Sequence, residues 1–260
     1  PEDPMTSLRD KVVFITGASS GIGMSCARIF AADGARILIA ARRVDRLKKL
    51  AEELRAAHGV PVQAFALDVR DPAAVERTVS GLPPEWAAID VLVNNAGLSR
   101  GLDKIHEARI SDWEEMIDTN IKGLLYVSRA VIPGMVTRGA GHVINIGSIA
   151  GHELYPGGNV YCGTKFAVKA ISQGMRIDLV ATPIRVSSVD PGMVETEFSI
   201  VRYHGDQERA DKTYKGFTPL SPDDIADAVH YCATRPPHVN INDMIVMPQA
   251  QAGVLVVNRT

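Results

Sequence analysis

Val12–Thr16 reads VVFIT and runs without a break into Gly17-Ala18-Ser19-Ser20-Gly21-Ile22-Gly23. The run has no polar/apolar alternation, as expected of a strand buried on both faces, and such strands belong to parallel sheets covered by helices. The residues that follow, MSCARIFAADG, are helical in pattern. Three glycines between a first strand and its helix permit a tight turn and close backbone approach to a ligand. The helix N-terminus adds free N–H groups and partial positive charge. The spacing is G-x-x-x-G-x-G, and a pyrophosphate cradle over Gly17, Ser19, Ser20, Gly21, Ile22 and Gly23 is the expectation. A plain turn is the alternative for the glycines taken alone.

Strand-like runs alternate with helical stretches along the rest of the chain. ARILIAA, VQAFALDV, IDVLVNNAG, HVINIGS and IRVSSVDPG read as sister strands, with a last one near MIVMP. Asp71-Pro72 and Ser221-Pro222 each place a capping residue before a proline at the first helical position. Ser111 to Glu114 has capping-box spacing. The fold class expected is α/β: a single-domain Rossmann fold, doubly wound, with a mostly parallel seven-stranded sheet and helices on both faces. Residues 5–260 form that one domain. Pro1 to Pro4, ahead of Met5, read as an expression scar. Residues 193–219 read as an irregular insertion, charged and carrying Gly205, with the character of a mobile substrate lid.

At 260 residues and 46% hydrophobic content the chain can bury a substantial core. A formal charge of −2 carries no basic excess and argues against a nucleic-acid partner. Cys26, Cys162 and Cys232 are too widely spaced for a zinc pattern or a disulfide framework, which fits a reducing cytoplasm, and no metal ligand set is expected. No apolar run is long enough to span a membrane. Cys162 beside Tyr161 invites a nucleophile reading; a small buried helical residue is the plainer one.

The end of the second strand reads Ala40-Ala41-Arg42-Arg43. A binder of the ribose 2′-hydroxyl needs an acidic residue in this region. Here two guanidiniums stand instead, suited to a 2′-phosphate, and the reading is NADP(H) over NAD(H). A solvated strand end is the alternative.

Of six tyrosines, Tyr161 alone has a lysine at +4, Lys165. On a helix the two share a face. Bringing a phenol from about 10 to 7 takes roughly 4 kcal/mol, and one cation at about 4 Å supplies a similar energy at an effective dielectric near 20. Tyr161 therefore reads as general base in alcohol oxidation and general acid in carbonyl reduction, with Lys165 and a positive nicotinamide ring shifting its proton affinity. Ser148 upstream, in HVINIGSIAG, would donate to the substrate oxygen. Asn120 falls on the apolar stripe of its helix, where a buried amide needs partners. It is either a satisfied core amide or part of the site.

With these residues assembled, the chain resembles the short-chain dehydrogenases/reductases from about residue 8 to 250. The resemblance rests on TGASSGIG, LDV at 67–69, NNAG at 94–97, Asn120, Ser148, Tyr161/Lys165 and Pro191-Gly192. EWAAIDVLVNNAGLSRG, DWEEMIDTNIKGLLY, GGNVYCGTK, TEFSIVR and PHVNIN are similar to the NADP-dependent 3-hydroxy acid dehydrogenases, a group including serine and L-allo-threonine dehydrogenases. The resemblance implies that Asp68 and Val69 contact adenine, and that Asn94, Ala96 and Gly97 line the cofactor. It places Pro191, Gly192, Val194 and Thr196 at the nicotinamide end and Lys165 on the nicotinamide ribose, with Asn120 in a water-mediated relay to Lys165. It also implies a homotetramer acting on a small-molecule substrate. Gly147 is a departure, since many relatives carry a second serine there.

A 3-hydroxy acid needs a carboxylate partner, and Arg100 and Arg202 are the candidates. Reductases of larger ketones or acyl carriers, and a non-catalytic NADP(H)-sensing protein, are the competing readings. The apolar residues around FAVKAISQGMRIDLV suggest both core packing and a subunit interface.

Overall fold

The structure, a computed structural model, describes residues 7–260; the expected expression scar at 1–4 lies outside them. The chain alternates through β1 (Val12–Thr16), α1 (Gly21–Ala32), β2 (Arg36–Ala41), α2 (Val44–His58), β3 (Val62–Ala66), α3 (Pro72–Ser80), the single turn α4 (Pro84–Ala87) and β4 (Ile89–Asn94). There follow α5 (Ile110–Ile117), a π-helical turn (Asp118–Gly123), α6 (Leu124–Arg138), β5 (His142–Ile146), α7 (Asn159–Asp178) and β6 (Arg185–Pro191). The short helices α8 (Phe198–Arg202) and α9 (Gln207–Thr213), then α10 (Pro222–Ala233) and β7 (Asp243–Val246), complete it.

All seven expected strands form one sheet in the order β3-β2-β1-β4-β5-β6-β7, and every pairing is parallel. This is the doubly wound Rossmann arrangement. Its apolar runs are covered on both sides, as their lack of alternation requires. Val13 and Ile15 of β1 pack with Phe30 of α1 and Ile225 and Val229 of α10. Val12 and Phe14, on the opposite face, pack with Val127, Val131 and Met135 of α6. The strand order reverses between β1 and β4, so a crevice opens beyond their carboxyl ends, where such sheets bind ligands.

Two of the three expected helix starts hold. Asp71 accepts from the Ala74 N–H, and Ser221 forms a reciprocal capping box with Asp224. The third is corrected: α5 begins at Ile110, so Ser111 lies inside the first turn and caps nothing. The Asp112 carboxylate in that turn instead meets His204, 3.0 Å away. Residues 193–219 are also more regular than expected, holding both α8 and α9. Among the described residues, no helix is long and apolar enough to cross a membrane.

Candidate active site

The crevice is a cleft of about 360 Å³ walled by the glycine turn, the ends of β2 and β4, the Ser148 and Tyr161 region, and the strip from Pro191 to Val201. Gly17 sits at φ +67°, and a Cβ there would lie 2.8 Å from the Ala96 Cα, so only glycine lets the turn close on the β4 loop. The hydroxyl of Thr16 joins the same two loops, accepting from the Asn95 and Ala96 N–H groups at 3.1 Å each. Gly17, Ser19, Ser20, Gly21 and Ile22 line the cleft as expected. Gly23 packs behind it, where a Cβ would meet the Asn95 side chain at 2.4 Å.

Arg42 and Arg43 both reach the cleft, beside Asp68 and Val69. Arg43 is the more organised of the two. It donates to Ser19 Oγ at 3.1 Å, to Ser20 Oγ at 2.5 Å and to Glu197 Oε2 at 2.7 Å. Glu197 also pairs with Arg46 at 2.6 Å. Burial works to raise the Glu197 carboxyl, but the hydrogen bonds from Arg46 and Arg43 outweigh it and leave the group below its ordinary range. Arg42 is half exposed, 3.6 Å from Glu115. No motif announces Arg46, and Glu197 appears in the sequence only within TEFSIVR, where nothing marks it as a partner of the arginines. Arg46 lies three residues beyond Arg43, the only spacing clue either offered.

One expected cofactor residue is displaced. The Asn94 side chain points into the sheet, donating to Ser128 Oγ and Asn145 Oδ1 at 2.9 Å each. Asn95 lines the cleft instead, together with Ala96 and Gly97. The strand alternation at the end of β4 decides this: consecutive side chains face opposite ways, and the first asparagine faces inward. Pro191, Gly192, Val194 and Thr196 all line the far end of the cleft.

Ser148, Tyr161 and Lys165 converge on one wall. Ser148 caps a short 3-10 turn, accepting from the Ala150 N–H, and lines the cleft together with Tyr161. Lys165 is buried and donates to the Ile146 carbonyl at 2.8 Å, with its Nζ 6.0 Å from the centre of the Tyr161 ring. Burial lowers its ammonium to about 8, opposed by the Asp190 carboxylate. Burial also pushes the Tyr161 phenol up, while the Arg202 guanidinium and the Ser148 hydroxyl pull it back.

Asn120 sits in the π turn and is buried. Its amide donates to the Leu98 carbonyl at 2.8 Å and Thr164 Oγ1 at 3.0 Å, and accepts from the Leu98 N–H at 2.9 Å. The side chain is therefore a staple between the β4 loop and α7, not a direct partner of Lys165. Cys162 is buried with its thiol pushed up by burial, and does not line the cleft.

The two arginine candidates separate. Arg100 is committed: it donates to both Glu115 carboxylate oxygens at 2.7 and 3.3 Å and to the Val201 carbonyl at 2.6 Å. It fastens α8 to α5. Arg202 lies against Tyr155, Phe198 and Tyr161, donates through Nη2 to the Tyr155 hydroxyl at 2.9 Å, and keeps a buried Nε without a partner among the described residues.

This site sits in a chain whose residues 11–206 match the family model for short chain dehydrogenase. The chain belongs to the short-chain dehydrogenase family. It is 50% identical to the NADP-dependent 3-hydroxy acid dehydrogenase of Salmonella typhi over 242 residues, covering 93% of this chain and 96% of that one. It is 44% identical to the serine 3-dehydrogenase of Rhizobium radiobacter over 241 residues, 92% and 94% of the two chains. Among solved structures, the closed form of serine dehydrogenase complexed with NADP+ matches with a TM-score of 0.88 and 47% identity, covering 96% of this chain and all of that one. The family is one of oxidoreductases acting on CH–OH groups, and the cleft brings Ser148, Tyr161 and Lys165 together in its lining.

Proposed function

We propose that this protein is an NADP(H)-dependent oxidoreductase that interconverts small 3-hydroxy acids and their 3-oxo acids. What supports the substrate class is Arg202, whose guanidinium packs against the Tyr161 ring and keeps a buried Nε without a partner among the described residues. It stands directly behind Phe198 and Val201, which line the cleft while Arg202 itself does not. A carboxylate two bonds from the reacting carbon would meet that cation while its hydroxyl reaches Tyr161.

The residues present fit the dinucleotide. The glycine turn leaves space that a Cβ would fill, Arg42 and Arg43 stand where a 2′-phosphate needs cations, and Asn95, Ala96 and Gly97 border the middle of the cleft. Val194 and Thr196 border its far end. When bound, NADP(H) supplies or accepts the hydride. The chain's own work is on the proton and the charge.

Ser148 donates to the substrate oxygen and stabilises the charge developing on it. In oxidation Tyr161 takes the hydroxyl proton at its phenolic oxygen, and in reduction it returns one. Lys165 and Arg202 favour the phenolate against the burial that opposes it. Asn120 completes the tetrad by fixing Thr164, the neighbour of Lys165. Arg100, Glu115 and Glu197 hold the 193–219 segment over the cleft, the arrangement of a substrate lid.

The assembly proposed is a homotetramer. Ile110, Leu125, Phe166 and Ile177 leave apolar side chains exposed on α5, α6 and α7, as a helical subunit interface would. The proposed location is the cytoplasm, consistent with three unpaired cysteines.

A panel tests the function: NADP+ reduction with L-serine, L-allo-threonine, 3-hydroxyisobutyrate and 3-hydroxypropionate, and NADPH oxidation with malonic semialdehyde. Turnover of at least one acid, with NAD+ much poorer, is expected. Failure of every acid alongside fast reduction of a bulky neutral ketone would refute the substrate class.

A further inference from the structure

Behind the wall that carries Ser148 lies a polar chain, buried at its Asp190 end and half-buried at His152 and Lys169, that the reaction scheme above does not use. Asp190, near the end of β6, is almost fully buried and accepts from Ser188 Oγ at 2.5 Å. Its other oxygen lies 2.6 Å from His152 Nε2, and His152 Nδ1 lies 2.9 Å from Lys169 Nζ. A carboxylate only accepts and an ammonium only donates, so the imidazole is the Nε2–H tautomer, bridging the two. His152 ends the 3-10 turn that Ser148 begins.

This chain also accounts for Gly147. A Cβ built there would fall 1.8 Å from Asp190 Oδ1, so the carboxylate fills the space that a serine would need. Gly147 separates Ser148 from Ile146, whose carbonyl receives the Lys165 ammonium. Asp190 is therefore pressed against the backbone linking the two catalytic side chains. Tyr161, Lys165 and Lys169 recur every four residues on one face of α7, so the active-site lysine and the outer end of the polar chain share that face.

The side chains that bear on this region come from several elements: from α7, the Tyr161 phenol, 6.0 Å from Lys165 Nζ at its ring centre, and Lys169; from the π turn, the uncharged Asn120 amide; from the Ser148 turn, His152; from β6, Asp190; and from α8, Arg202 over the Tyr161 ring. Asp190 is the one anion of the set. It opposes the burial that strips the proton from Lys165.

We propose that Asp190 is a positioning residue for the reaction: its buried carboxylate, held by Ser188 and the His152–Lys169 pair and pressed against Gly147, sets a negative charge behind the backbone that links Ser148 to the Ile146 carbonyl holding Lys165, and so favours the lysine's ammonium beside Tyr161. The exclusion of any side chain at position 147 is what lets the carboxylate stand so close. This inference rests on the Tyr161/Lys165 reading of the site and is independent of which alcohol is turned over.

The test is the pH profile of kcat/KM for carbonyl reduction, measured with NADPH and the best substrate of the panel. Reduction needs the charged lysine, so activity falls on the alkaline side as Lys165 loses its proton. Asp190→Asn keeps the shape and removes the charge. It is expected to move the alkaline limb down by about one pH unit, so the loss is about tenfold near pH 9 and much smaller near pH 6. Lys169→Met removes a neighbouring cation, leaves Asp190 in place, and is expected to move the limb the other way. It also keeps the proposal testable if the Asp190 variant does not fold. A uniform loss at every pH in a folded Asp190→Asn enzyme, or limbs unmoved or moved in the same direction in both variants, would overturn the proposal. Lys165→Ala, run alongside, separates the failures: full activity there would sink the Tyr161/Lys165 reading itself.

Discussion

The Arg202 guanidinium lies over the Tyr161 ring, 5.3 Å from its centre. It packs on the phenol and opposes the burial that would keep the phenol protonated. On the proposed reading one residue serves both the substrate carboxylate and the base. Arg202→Ala should raise KM for carboxylate substrates about 10- to 100-fold, the worth of one or two charge-assisted hydrogen bonds. It should also shift the rise of the oxidation rate to higher pH, because a cation favouring the phenolate is gone. Steady-state kinetics across pH checks both. An unchanged KM for acids would remove Arg202 from the substrate site.

Arg43 is held by Ser19, Ser20 and Glu197 at the mouth of the glycine turn. Arg43→Ala should weaken NADP+ binding about 10- to 100-fold while leaving NAD+ binding nearly as before. Titration by fluorescence or calorimetry at two salt concentrations measures it. Equal losses for both dinucleotides would mean that Arg43 supports the turn and not the 2′-phosphate.

His142 lies fully inside β5, its Nε2 2.8 Å from Ser187 Oγ, and burial first, then the Arg185 charge, drives its proton affinity well below the ordinary value. The folded state thus refuses a proton that the unfolded chain accepts near pH 6.5. Above that pH the group contributes no pH dependence. Below it, stability should fall by up to about 1.4 kcal/mol per pH unit from this residue alone. Urea midpoints between pH 7 and pH 5 for the wild type and for His142→Gln should differ in slope by about one proton. Parallel slopes would assign the acid sensitivity elsewhere.

Strands were easy to read from sequence because burial on both faces leaves unbroken apolar runs such as VVFIT, and the glycine turn announced itself by spacing. Tyr161 and Lys165 were legible because helical periodicity puts them together. Long-range pairings were not. Nothing local says that Glu197 will reach Arg43 and Arg46, or that Arg100 will spend its donors on Glu115 and Val201 while Arg202 keeps one free. Asn94 was misplaced because a motif gives residue identity, whereas the strand's two-residue period decides which asparagine faces the cleft. The Ser111 start failed for a related reason: the Asp112 side chain answers to His204, 92 residues away.

The Tyr161→Phe enzyme tests the central claim most directly. Phenylalanine fills the same space against Phe198 and removes only the phenolic oxygen. Turnover of the best hydroxy acid with NADP+ should fall by about 10²- to 10⁴-fold, the usual worth of a positioned acid/base, with NADPH affinity close to that of the wild type. Wild-type turnover in that variant, with cofactor affinity intact, would contradict the account.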